Sequence, residues 1–279
     1  MPETPAPETI IITGASDGIG AAAARALSAR GRTVVIVGRS PEKTAKVADA
    51  LGADHFVADF SKLSEVRKLA AELRERYPRI DVLANNAGGI FGDRTITEDG
   101  HELTLQVNHL APFLLTTLLM DRLILSKTRV INTSSVANLG GNIIIDDLDL
   151  ATRFSPGRAY SNAKLDNILF TTELARRFGA EGITTASFHP GVVASNFASD
   201  SRSPLRVIYR SVLRHTLISS EKGADTLVWL ATTTPGSDWT SGEYYIKRKP
   251  GRTNRQADDA QLASALWERS AAMVAPPVE

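Results

Sequence analysis

The chain has 279 residues, 43% hydrophobic and 23% charged, with Lys+Arg 32 against Asp+Glu 31 for a net charge of +1. That is an ordinary globular composition, and its charge balance gives no electrostatic ground for nucleic acid as a partner. The chain has no cysteine, which excludes disulfides, Cys-ligated zinc and thiol catalysis. The N-terminal MPETPAPETI has no basic region followed by an apolar stretch, so no secretory signal is expected. No window reaches the roughly 18 uninterrupted apolar residues of a membrane helix. A cytoplasmic protein without an integral membrane segment is the expectation.

Residues 1–8 read as a flexible tail. Thr9 to Thr13 is a β-branched run ending at Gly14, and Ala21 to Arg30 is an Ala-rich helix closed by Gly31. Thr33 to Val37 shows no polar alternation, which predicts a strand buried on both faces. Pro41 opens a helix to about Leu51, and Asp54 to Ala58 is a third strand. Lys62 to Tyr77 carries Leu63, Val66, Leu69, Ala70 and Leu73 on one stripe; Pro78 stops it before a strand over Ile80 to Ala84. The pattern then predicts a helix over about Asp99–Leu125, a strand over Thr128–Thr133, a helix over Arg158–Gly179 and a strand over Ile183–Phe188. Glu221 to Thr233 and Asp258 to Met273 read as helices, and Glu243 to Ile246 as a last strand. Such alternation implies right-handed βαβ units: one α/β domain over 1–279, a doubly wound parallel β-sheet with helices on both faces. No repeat or linker marks a boundary.

The glycine loop Thr13-Gly14-Ala15-Ser16-Asp17-Gly18-Ile19-Gly20 lies between the first strand and the first helix. Glycines there let the backbone approach a pyrophosphate, which the helix N-terminus favours. Its G-x-x-x-G-x-G spacing differs from the commoner G-x-G-x-x-G. After the second strand stands Arg39, with no acid until Glu42. An acid in that place takes a ribose 2′-OH, whereas a guanidinium grips a 2′-phosphate, so the position favours NADP(H) over NAD(H). Tyr160 and Lys164 fall one helical turn apart and can meet the same ligand. A free tyrosine titrates near ~10, and a neighbouring ammonium favours its phenolate, which suits Tyr160 to acid/base work.

Taken together, TGASDGIG and Tyr160-x-x-x-Lys164 resemble the short-chain dehydrogenase/reductase family, whose fold is a Rossmann fold. The resemblance implies that Asn86, Ala87 and Gly88, in Asn85-Asn86-Ala87-Gly88, help to hold the sheet and the cofactor ribose. It places Asp59 beside the adenine. Ser135 would orient the substrate carbonyl, and Asn108 would hold a water in a proton relay with Lys164. Pro190, Gly191 and Val193, in His189-Pro190-Gly191-Val192-Val193, would contact the nicotinamide. Gly14, Ser16, Asp17, Gly18, Ile19 and Gly20 would serve the pyrophosphate side, and Tyr160 and Lys164 would also touch the cofactor. VNHLAPFLLT, INTSSVAN, AYSNAKLDNILFTTELARRF and SFHPGVVASNF are similar to the retinol-dehydrogenase-like branch, which acts on lipophilic aldehydes, ketones and alcohols, typically with NADP(H). Ser195 replaces a Thr common in the Pro-Gly segment and keeps the hydroxyl. The resemblance further implies a homodimer or homotetramer. A catalytically silent, NADP(H)-sensing regulator with the same fold is the rival, although such relatives usually lack the Tyr or the Lys.

His55, His101, His109, His189 and His215 are scattered without metal-ligand spacing, so structural roles and no metal are expected. Asp146-Asp147-Leu148-Asp149 lacks the Gly turn and distal Glu of a calcium loop and reads as a solvated bend. Arg206, Arg210 and Arg214 recur every four residues among apolar ones after Pro204. By itself this basic amphipathic pattern suits a membrane surface or an acidic partner, but the resemblance implies a substrate lid over about 194–220, because the stretch follows the Pro-Gly segment where the family places its variable substrate loop.

Overall fold

A computed structural model describes residues 7–191 and 218–276. The apolar runs form β1 (Thr9–Thr13) and β2 (Thr33–Gly38), paired in parallel from Thr9↔Thr33 to Thr13↔Val37. Val34 to Val37 are all buried, as a strand covered on both faces requires. The remaining elements are α1 (Gly18–Ser28), α2 (Pro41–Leu51), β3 (Asp54–Val57), α3 (Leu63–Arg76), β4 (Val82–Asn85), α4 (Leu103–Leu105), α5 (Ala111–Leu118), α6 (Met120–Ser126) and β5 (Arg129–Thr133). They continue as α7 (Pro156–Phe178), β6 (Thr184–His189), α8 (Ser220–Thr232), β7 (Glu243–Ile246), β8 (Lys249–Pro250) and α9 (Ala260–Met273). Strand order is β3-β2-β1-β4-β5-β6-β7-β8, parallel as far as β7, with the two-residue β8 antiparallel.

The sheet separates two apolar layers. On one face, Leu69, Leu73, Phe113, Leu115, Leu165, Leu169, Phe170 and Trp267 join α3, α5, α7 and α9. On the other, Ala23, Leu27, Leu227, Leu230 and Ala231 pack α1 and α8 against Ile10, Ile12, Ile36 and Phe188. Each fully buried Leu, Ile or Phe contributes roughly 1.5–3 kcal/mol relative to exposure, so these layers dominate the driving force.

Several helix ends differ from the sequence expectation, most by one to three residues, α1 starting at Gly18 rather than Ala21, and two of the differences have identifiable reasons. Helix α7 begins at Pro156, two residues before the expected Arg158, because the Ser155 hydroxyl caps Arg158 N at 3.2 Å and Pro156 is pre-set for the first helical position. The stretch expected as one helix from Asp99 to Leu125 is broken. Asp99 instead accepts from Leu63 N at 2.9 Å and from Gln106 Nε2 at 2.8 Å, and the first turn starts at Leu103 under a Glu102 cap. Gln106–Leu110 then forms a π-turn, and a second break at Leu119 bends the path by 65°. Among the described residues no single helix is long and apolar enough to cross a membrane.

Candidate active site

The order of the sheet reverses between β1 and β4, which opens a crevice at their C-terminal ends, the place where α/β sheets bind ligands. Thr13 closes β1 there. Its hydroxyl accepts from Asn86 N and Ala87 N, each at 3.0 Å, and Asn86 Nδ2 returns a bond to Thr13 O at 2.9 Å. The glycine loop is thereby locked to the Asn85–Gly88 turn. Gly14 sits at φ +66, and a methyl on it would stand 2.7 Å from Ala87 Cα; one on Gly20 would stand 2.4 Å from Gly14 O. These two glycines are thus demanded by close backbone packing within the chain itself. Asp17 caps α1 through Gly18 N at 2.7 Å and faces Lys43 at 3.7 Å. Ser16 lies under Gly38, where an added methyl would be 2.7 Å from its Cβ, so Ser16 and Arg39 flank the same strand end. Asp59 closes the turn after β3, accepting from Ser61 N and Oγ at 3.0 and 2.9 Å.

A polar ladder fixes the middle of the crevice. Asn85 Nδ2 donates to Thr116 Oγ1 at 3.0 Å and Asn132 Oδ1 at 2.9 Å; Asn132 Nδ2 donates to Thr171 Oγ1 at 2.9 Å. The ladder ties α5, β4, β5 and α7 into one frame. Within it, Lys164 is 1% exposed, and its ammonium donates to Thr133 O at 3.1 Å. It lies over the Tyr160 ring, 5.4 Å from the centroid. Burial pulls the ammonium down to about 7. Ser134 Oγ donates to Lys164 O at 2.6 Å, and Asn167 Nδ2 to Thr133 O at 3.1 Å, so the first turns of α7 are stitched to the end of β5. Ser135 follows in extended conformation and caps the short turn Val136–Gly140 through Ala137 N at 3.2 Å.

Asn108 occupies the π-turn. Its Nδ2 donates to Gly89 O and Thr104 O, each at 2.9 Å, and its Oδ1 accepts from Gly89 N at 3.2 Å. A methyl on Gly88 would stand 2.5 Å from Asn108 Oδ1 and 3.3 Å from Lys164 Nζ. Gly88, Asn108 and Lys164 therefore converge at one point, and this cradle tests whether a cofactor fits. A side chain at Gly88 would close it, while an ammonium with three donors and one protein carbonyl retains capacity for ribose hydroxyls. The residues present fit a nicotinamide ribose.

At the end of β6, Pro190 precedes Gly191, whose φ is +93 and whose added methyl would meet Ile218 Cδ1 at 2.5 Å. His189 beside them has its imidazole lowered to about 4 by burial and stays neutral. Val193 and the Arg206, Arg210 and Arg214 stretch lie outside the described residues. The acidic run is a bend exposed at Asp146 and half-buried at Asp147 and Asp149. Asp147 accepts from Ala151 N at 2.7 Å and Thr152 Oγ1 at 2.8 Å; Asp149 accepts from Glu102 N at 2.8 Å and lies 3.6 Å from His101 Nδ1.

Three polar residues at the site carry no motif and were not singled out by the sequence. Asn138 is fully buried behind Ser135, Asn254 comes from the segment before α9, and Tyr244 points a buried hydroxyl beside Asn138. An asparagine within a Gly-rich turn and another 116 residues on give no local signal of their pairing.

The family model for short chain dehydrogenases matches residues 8–206. A Streptomyces sp. (strain C5) protein assigned by name as a daunorubicin C-13 ketoreductase is 47% identical over 95% of this chain and 92% of its own. Human retinol dehydrogenase 13 is 36% identical over 96% of this chain and 84% of its own. Among solved structures, an uncharacterised protein from Mycobacterium paratuberculosis superimposes with a TM-score of 0.76 at 33% identity, covering 97% of this chain and 96% of that one. A metagenomic short-chain oxidoreductase in complex with NADP gives 0.63 at 27% identity, covering 86% of this chain and 96% of that one. The chain belongs to the short-chain dehydrogenase/reductase family, in its retinol-dehydrogenase-like branch.

Proposed function

We propose that the protein is an NADP(H)-dependent carbonyl reductase or alcohol dehydrogenase acting on lipophilic aldehydes or ketones. One observation carries the reading: a buried lysine ammonium lies over the Tyr160 ring and beside the Gly88–Asn108 cradle. A buried cation is costly, and here it has a chemical use. When bound, the reduced cofactor supplies a hydride. Tyr160 Oη delivers a proton to the carbonyl oxygen, and Lys164 stabilises the phenolate that remains while its other donors hold the ribose. Ser135, with one lone pair engaged by Ala137 N, keeps its hydroxyl proton for the same oxygen and so stabilises charge as it develops. Asn108, fixed by three bonds, holds the helix at the point where a proton from water would return to the Tyr160 phenolate after reduction.

Arg39 after β2 supports the choice of NADP(H), and so does the NADP bound by the metagenomic oxidoreductase among the structural relatives. The names of the ketoreductase and retinol dehydrogenase relatives support a lipophilic substrate, and exposed Val136, Leu139 and Ile144 after Ser135 suit one. The test is NADPH consumption over aldehydes and ketones of graded lipophilicity, with Tyr160→Phe in parallel. Turnover rising with lipophilicity is expected, lost by at least about 100-fold in Tyr160→Phe while NADPH still binds. No turnover of any carbonyl, or a fully active Tyr160→Phe, overturns the reading.

A further inference from the structure

The chain after Ser135 is held from outside its own turn. Asn138 is 0% exposed, and both ends of its amide are engaged. Nδ2 donates to Ser135 O at 2.7 Å, and Oδ1 accepts from Asn254 N at 2.9 Å. Asn254 Nδ2 in turn donates to Gly141 O at 2.8 Å. Gln256 brackets Ile143, accepting from its N at 2.9 Å and donating to its O at 3.1 Å. From the other side Asn162 on α7 accepts from Asn142 N at 2.9 Å. Residues 138–143 are thus clamped between α7 and the segment leading into α9, and the Asn138 side chain carries that clamp back to the backbone of Ser135.

We infer that Asn138 is a positioning residue, fixing the Ser135 backbone so that its hydroxyl meets the substrate carbonyl. The inference rests on the oxidoreductase reading above, in which Ser135 touches substrate. Ser135 caps a turn of only five residues, and that turn by itself is a weak determinant of where the hydroxyl points. A displacement of about 1 Å at such a group costs on the order of 100-fold in rate, so a buried amide engaged at both ends behind it has a catalytic consequence without touching substrate.

The test is a double-mutant cycle of Asn138→Ala and Ser135→Ala, assayed on one ketone that the wild type reduces, with NADPH affinity measured by titration. Asn138→Ala is expected to lower kcat/KM by about 10- to 100-fold with NADPH affinity unchanged, and to cost nothing further once Ser135 is already Ala. Equal losses in both backgrounds, no loss, or a parallel loss of NADPH affinity overturns it. Should Asn138→Ala not fold, Asn254→Ala takes its place in the same cycle, with an expected loss of about three- to tenfold and the same non-additivity. A wild type inactive on every carbonyl brings down the oxidoreductase reading, and this role with it. An active wild type whose variants show no coupling brings down the role of Asn138 alone.

Discussion

Lys164 and Asp166 stand two residues apart on α7, both about 1% exposed, and they illustrate how burial acts on opposite charges. Lys164 has one carbonyl partner, and desolvation lowers it to about 7. Among the described residues neither carboxyl oxygen of Asp166 has a hydrogen-bond partner, and desolvation raises it well above the ordinary carboxylate range. The signs of the linkage follow. The folded chain binds fewer protons at Lys164 than the unfolded chain between about pH 7 and 10, so this group's contribution to stability rises with pH across that window. At Asp166 the folded chain keeps a proton that the unfolded chain releases above about pH 4, so stability falls as pH rises from there. Asp166→Ala is expected to stabilise by roughly 1–3 kcal/mol at pH 8 and by clearly less at pH 5, measured by urea unfolding. An advantage equal at both pH values refutes the account. Lys164→Met is expected to melt above the wild type at pH 6 in the absence of cofactor while losing turnover. A lower melting temperature for that variant would mean that its ammonium is satisfied better than one carbonyl allows.

At the scale of elements, what could be read in advance divides along the range of the forces involved. β1, β2 and β7 were legible because a run of β-branched and aromatic residues bounded by Gly is a local signal. So were Tyr160 and Lys164, whose helical spacing alone brings them together. The π-turn was not legible. The apolar pattern runs unbroken through Leu103–Leu118, and inserting one residue into a turn leaves no mark on such a pattern. What maintains the turn is the side chain of Asn108, whose three bonds reach the Gly89 backbone and Thr104 O. Asn108→Ala leaves both polar groups of Gly89 unpaired in a buried place and is expected to destabilise by roughly 2–4 kcal/mol in urea unfolding. A change below about 0.5 kcal/mol would mean that the π-turn is held by packing alone. The Asn138–Asn254 clamp was illegible for a different reason, since its partners stand 116 residues apart and no local pattern links them.

For the whole molecule, the sheet order is what turns separate local signals into one site. The glycine loop after β1, the Asn85–Gly88 turn after β4 and Ser135 after β5 are far apart in sequence and share the C-terminal end of the sheet because β1, β4 and β5 are adjacent and parallel. β2 lies on the far side of β1, so Arg39 at its end sits across the glycine loop from the Tyr160–Lys164 pair. A dinucleotide bridging those two places would be read at one end by Arg39 and used at the other by Tyr160. That arrangement makes cofactor preference measurable without any substrate. Binding to the folded state alone stabilises by RT ln(1 + [L]/Kd), about 2.7 kcal/mol at a hundredfold excess over Kd, which for a chain of this size raises Tm by about 5 °C or more. NADPH is expected to give the larger rise at equal concentration, and NADH a small one. Arg39→Asp removes the guanidinium and brings a carboxylate within reach of the ribose, so it is expected to abolish the NADPH shift and enlarge that of NADH. Because Arg39 lies outside the Tyr160–Lys164 cradle, the variant should keep turnover when supplied with NADH. If NADPH still gives the larger shift in Arg39→Asp, the 2′-phosphate is recognised elsewhere on the chain and the assignment of Arg39 falls.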